Sequence, residues 1–139
     1  MNNETNIMQA REFKIGLIGP SKSRKTAFVN ALLFGTNINT NYPPTLGVEV
    51  YNFDFKYNNN KYRLNLWDCA GNENYQGLGK DYLKDSDLIV VFKHLSIPHN
   101  TYYDWIPKNT SHLCVDMWDD NVVSTTLNNI REILMNKNI

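Results

Sequence analysis

The chain has 139 residues, 42% hydrophobic and 20% charged, which suits one soluble globular domain with a real core. Its 14 basic and 14 acidic residues cancel, which argues against direct nucleic-acid binding or a membrane-surface role, since both need a basic excess. No apolar run is long enough to span a bilayer, residues 1–10 carry no signal-peptide core, and the Asn138-Ile139 ending has no prenylation box.

Residues 1–10 read as a flexible polar tail and 11–139 as the domain. Phe13 to Gly19 is a short apolar run ending in glycine, as expected of a buried parallel strand. Lys25 to Phe34 puts Phe28, Ala31 and Leu32 on one helical face, with Gly35 as the cap. Thr36 to Pro44 is an extended loop. Val48 to Tyr57 alternates, but Phe53 and Phe55 are out of phase with Val48 and Val50, which predicts a bulge between Val50 and Phe53. Asn58-Asn59-Asn60 is a turn, and Tyr62, Leu64 and Leu66 alternate in the second strand of a hairpin. Asp87 to Phe92 is another buried strand, Pro98 and Pro107 bracket at most a short helix, and Ser111 to Val115 is one more strand. Val122 to Met135 is an amphipathic helix with Val123, Leu127, Ile130 and Leu134 on its apolar face. Cys69 and Cys114 read as free thiols of a reducing compartment. The order predicts an α/β sheet layered by helices.

Two motifs carry chemistry. Between the first strand and the first helix, Gly19, Lys25 and Thr26 keep the spacing of a phosphate-binding loop, G-x-x-x-x-G-K-[ST]. Arg24 stands where the second glycine belongs, after Pro20, Ser21, Lys22 and Ser23. After the hairpin, Asp68-Cys69-Ala70-Gly71 fits a sensor of metal and γ-phosphate: a carboxylate at a strand end, then a glycine N–H able to approach a phosphate oxygen. Alone, each has an ordinary reading. Lys25 would be a solvated first-turn lysine, Thr26 a helix cap, and Asp68 a turn residue. Their shared order, with Asp68 about forty residues after the Lys-Thr pair and Thr45 between them, favours the phosphate reading.

Those residues resemble the small GTPases of the Ras superfamily, and most of all the Ran branch. The matching stretches are Lys25-Thr26-Ala27-Phe28-Val29, Thr45-Leu46-Gly47-Val48-Glu49-Val50, Trp67-Asp68-Cys69-Ala70-Gly71, and Gly77-Leu78 followed by Tyr82. Asp116-Met117-Trp118-Asp119 looks like a worn guanine box, and Ser124-Thr125-Thr126 like the late loop that covers the base. The resemblance implies a mostly parallel sheet of about five strands, one fewer than is usual in the family, with one β2–β3 hairpin, helices on both faces, and part of the last third missing. It also implies roles. Gly19, Ser21, Lys22, Ser23, Arg24, Lys25, Thr26 and Gly71 would surround phosphates, Asp116 and Asp119 the base, and Thr26, Thr45 and Asp68 a Mg²⁺ ion. Asn72 takes the place of the water-orienting glutamine.

The departures set the functional expectation. A phosphate nest needs some near-left-handed residues, which glycine adopts at little cost and other residues at roughly 1 kcal/mol or more. Pro20 lacks an N–H, and Arg24 brings a long side chain to the point of closest approach, although Arg24 and Lys22 offer phosphate charge from outside the loop. Asn72 is one methylene short. Asp116 replaces an asparagine, and Met117 a lysine whose stem it could mimic over a base. The expectation is a pseudo-GTPase, a soluble monomer of cytoplasm or nucleus with no membrane anchor. It would bind GTP or GDP and Mg²⁺ weakly, and act on proteins that recognise Ran- or Ras-like switch surfaces, such as transport receptors. Tyr42, Tyr51, Tyr75 and Tyr82 would serve that surface. The alternative is a working GTP/GDP switch with slow hydrolysis.

Overall fold

The computed structural model describes residues 10–19, 24–43, 47–69, 81–93, 106–117 and 121–136. Five strands form one sheet: β1 (Arg11–Ile18), β2 (Val48–Tyr57), β3 (Asn60–Cys69), β4 (Leu88–Phe92) and β5 (His112–Val115), in the spatial order β2-β3-β1-β4-β5. Two helices are described, α1 (Lys25–Phe34) and α2 (Val122–Asn136). Every neighbouring pair is parallel except β2 with β3. This is the α/β architecture expected of a Ras-like domain. The short helix expected between Pro98 and Pro107 lies largely outside the described residues.

β1 is the central strand, with parallel partners on both sides, and from Ile15 to Ile18 it is buried on both faces. Phe13, Ile15 and Leu17 point to one face, where α1 and α2 pack and Phe28 meets Phe92 edge-on at 5.4 Å. Ile18 points to the other, with Leu83, Ile89, Val91 and Cys69. Gly16 lies on this second face, where a Cβ would sit 2.8 Å from Ile89 Cδ1 and closer still to Leu83 Cδ2. The missing side chain is what lets the segment around Leu83 lie down on the sheet.

Four local readings are corrected. The β2–β3 register runs one-to-one from Val48↔Cys69 to Tyr57↔Asn60, so β2 contains no bulge. The phase change arises because β2 buries different faces at its two ends. Tyr51, Phe53 and Phe55 pack on the helix-covered core, whereas Val48 packs on the second face with Trp67 and Val50 is 49% exposed. In α1 the buried residues are Lys25, Ala27, Phe28 and Val29, not a stripe through Ala31. The helix drives its first turn into the fold and leaves Phe34 71% exposed at its far end, where Gly35 donates to Ala31 O at 3.0 Å. In α2 the fully buried line is Val122, Thr126, Ile130 and Leu134, an i, i+4 series, with Val123 and Leu127 only half-buried beside it. The hairpin turn is two residues, Asn58 and Asn59, both with positive φ, and Asn60 already belongs to β3.

Gly16→Val should lower stability by about 1–3 kcal/mol through overpacking, read as a shifted urea midpoint with an unchanged slope. An unchanged midpoint would show that the Leu83 segment can move aside.

Candidate phosphate and metal site

The site is built where β1 and β3 end and α1 begins. Parallel pairing sets Leu17 beside Asp68, so the last carboxylate of β3 arrives next to the turn at Gly19. Gly19 has φ 146°, a conformation that only glycine holds without strain. Lys25, the first residue of α1, is 4% exposed, and its Nζ donates to Gly19 O at 2.7 Å. Thr26 Oγ1 donates to Asp68 Oδ2 at 2.7 Å, and Asp68 is fully buried. The structure therefore brings Gly19, Lys25, Thr26 and Asp68 together, as their order in the sequence implied.

Burial dominates the electrostatics. Desolvation lowers the Lys25 pKa from its ordinary value to about 8, and the Asp68 charge partly offsets it. Burial, followed by the negative charge of Asp68, raises the Cys69 thiol to about 12, so this cysteine is a packed apolar group and not a nucleophile. Its Sγ lies 3.5 Å from Trp67 O.

Arg24 caps α1 in the left-handed region, at φ 71° and ψ 30°, with no side-chain cap hydrogen bond. The backbone shape expected of the second glycine is thus kept by a residue that pays roughly 1–2 kcal/mol for it. Its Nη1 donates to Asn39 Oδ1 at 2.8 Å. Asn39 is itself held by its N–H on Asn37 Oδ1 at 2.8 Å. This link between the phosphate-loop end and the segment after α1 was not foreseen; the Asn37-x-Asn39 turn pattern was its signal.

A second unforeseen pair stands beside Asp68. Glu49 is its cross-strand partner, and Tyr51 OH donates to Glu49 Oε2 at 2.5 Å. Burial first, and this hydrogen bond next, push the Tyr51 hydroxyl well above its ordinary pKa. Tyr51 is half-buried and packs against the core, as Tyr82 does against Trp67 and the second-face cluster. Tyr42 is half-buried as well. The freely exposed large apolar side chains among the described residues are Phe34, Val50 and Tyr57.

The donor set suits Mg²⁺. That ion prefers hard oxygens, and when it accompanies phosphates it takes only one or two from protein, the rest being water and phosphate. A threonine hydroxyl and a carboxylate, side by side at 2.7 Å, are such a pair. Among the described residues no group of three His, Cys, Asp or Glu side chains could cage a metal unaided.

The base-recognition half is different. Asp116 is exposed at the end of β5. Met117 is 7% exposed and belongs to the main core. Ser124-Thr125-Thr126 is no loop: it forms the opening turns of α2, where Thr125 N donates to Asn121 O at 2.9 Å and Thr126 is buried. The burial of Val122, Thr126 and Ile130 on one line pulls this segment into helix. Ser21, Lys22, Ser23, Thr45, Gly71, Asn72 and Asp119 lie outside the described residues, as do Tyr75, Gly77 and Leu78.

Residues 14–137 match the family described as Ras of Complex, Roc, domain of DAPkinase.

The buried lysine gives a pH signature. Between pH 8 and its unfolded value of 10.5, Lys25 is charged in the unfolded chain and neutral in the folded one, so it makes stability rise with pH. Cys69 acts oppositely from pH 9, because there the unfolded chain loses a proton that the folded one keeps. In Cys69→Ser, urea unfolding should therefore show stability climbing from pH 8 to 10, and Lys25→Met in that background should flatten the climb. A flat profile with Lys25 present would mean that its amine is solvated.

Proposed function

We infer that this chain, which belongs to the Roc family of Ras-superfamily GTPase domains, is a degenerate member that holds Mg²⁺ and nucleotide phosphates weakly, selects poorly among bases, and works chiefly by binding proteins through its switch-like surface. One observation carries the reading: the two halves of the site have fared differently. The phosphate and metal half keeps Lys25 buried against Gly19 O and Thr26 on Asp68. The base half has Met117 packed in the core and Ser124–Thr126 wound into α2. Lys25 would hold β- and γ-phosphates, Thr26 a Mg²⁺ ion, Asp68 that ion's water shell, and Thr45 and Gly71 would close on the γ-phosphate. Asn72 would orient water poorly, since a displacement of about 1 Å can cost on the order of 10²-fold in rate.

The partner surface follows from the stretch Thr45-Leu46-Gly47-Val48-Glu49-Val50, which resembles the Ran pattern. Core packing explains Val48 but not the exposed Val50 or Glu49. Partners of the transport-receptor or effector type, in cytoplasm or nucleus, fit that resemblance. The retained Thr26–Asp68 pair also favours a second reading, a true GTP/GDP switch with slow turnover.

Titration of purified protein with GTP, GDP and ATP plus Mg²⁺ separates these readings. Weak binding with little preference for guanine is expected, tightened by Arg24→Gly and weakened in Lys25→Ala by about 1.5–3 kcal/mol. Tight, guanine-selective binding would establish the switch instead. For the partner surface, a pull-down with Thr45→Ala/Glu49→Lys should lose the proteins that wild type recovers. Equal recovery by both would place the working surface elsewhere.

A further inference from the structure

Glu49 is exposed, so core packing gives it no task, yet its place in the sheet is closely defined. In the one-to-one β2–β3 register it stands directly opposite Asp68. Both side chains therefore leave the same face of the sheet, the one on which Tyr51 and Leu66 form the next row and pack against the main core. Opposed residues of an antiparallel pair have Cβ atoms about 4.5–5.5 Å apart, and like charges set opposite one another weaken the pair. Asp68 also takes the Thr26 hydroxyl, at 2.7 Å.

Tyr51 fixes the outer member of this carboxylate pair. Two residues along β2, with its ring against the core, it donates its hydroxyl to Glu49 Oε2 at 2.5 Å. The same hydroxyl feels the charges of both Glu49 and Asp68, so it stands close to each. Pinning an exposed glutamate costs rotamer entropy, and here it holds one carboxylate opposite another. The charge count has the same sense. Two carboxylates accompany one buried ammonium, that of Lys25, so the site has an excess of negative charge before any phosphate enters. That excess opposes a bare phosphate and favours a divalent cation.

We propose that Glu49 is a further member of the cation site: an outer carboxylate, positioned by Tyr51, that joins Asp68 in holding the water shell of Mg²⁺, so that the cation binds before nucleotide does. The inference rests on the Mg²⁺ reading of Thr26 and Asp68 and adds the residue that sets affinity for the cation while phosphate is absent. Mg²⁺ gives up its water reluctantly and is held in phosphate sites through one or two carboxylates. Glu49 and Asp68 supply two, and Thr26 a third hard oxygen. Tyr51 acts only through Glu49.

Mn²⁺ is the probe, titrated into the nucleotide-free full chain and followed by the electron paramagnetic resonance signal of the free ion. Wild type should take up the ion. Glu49→Gln should weaken uptake about tenfold and Tyr51→Phe by a smaller factor, as for groups that orient metal ligands. Tyr51→Phe should add nothing once Glu49→Gln is present, which a merely structural tyrosine would not obey. Glu132→Gln, at an exposed position on α2, should match wild type. Asp68→Asn should abolish uptake, with Thr26→Val in its place if circular dichroism shows that variant unfolded. Loss in Asp68→Asn with wild-type affinity in Glu49→Gln keeps the site and overturns the role of Glu49. Unchanged affinity in Asp68→Asn overturns both. Equal weakening in Glu132→Gln, or a further loss from Tyr51→Phe in the Glu49→Gln background, also overturns the proposal. So does no uptake by nucleotide-free wild type, in which case the same titration with GDP present tests the site by itself.

Discussion

Two charged side chains, Lys25 and Asp68, are buried within one small site, and much of the rest of the structure is arranged to tolerate them. An isolated buried ion costs several kcal/mol even after relaxation, so each must be held by other polar groups. Lys25 rests on Gly19 O, Asp68 on the Thr26 hydroxyl, and each feels the other's field. That solution requires β1 and β3 to pair in parallel with Leu17 beside Asp68, and it requires α1 to enter the core by its first turn. The register of the central sheet and the buried first turn of α1 thus serve the same constraint.

The constraint also explains what the chain has been free to change. Replacing the second loop glycine by Arg24 leaves the left-handed backbone in place at a cost of roughly 1–2 kcal/mol, a sum a domain of this size can lose without unfolding. The guanidinium finds Asn39, so its charge stays in a hydrogen-bonded, exposed position. Around Met117 and Ser124–Thr126 none of the described residues is a buried charge. There Met117 packs in the core and Ser124–Thr126 form part of α2.

The two sheet faces divide the labour. The face under α1 and α2 is a continuous apolar core from Phe13 to Leu134. The second face is apolar at the phosphate end, where Ile18, Cys69, Leu83, Ile89 and Val91 meet. Toward the hairpin it turns polar, with Lys56, Lys61 and the Arg63–Asp54 pair. One strand, β2, therefore runs from the phosphate end, where Glu49 pairs with Asp68, to a polar hairpin end, where Lys56 pairs with Lys61.

By itself the sequence determined the element order, the hairpin, the parallel central strands and the four residues at the heart of the site. Those follow from local causes: unbroken apolar runs such as Leu88–Phe92, Asn-rich turns, and the fixed spacing from Gly19 to Lys25-Thr26 and on to Asp68. Only the tertiary structure decided which face each residue meets. Period alone could not tell a bulge in β2 from a strand that buries opposite faces at its two ends, nor place Met117 in the core. It could not foresee Arg24 on Asn39, Tyr51 on Glu49 or Lys56 opposite Lys61. Each of these depends on residues distant in sequence, or on alternate residues of one strand, being brought to a single side of the sheet, and a one-residue change of face is invisible until the neighbouring layer is in place.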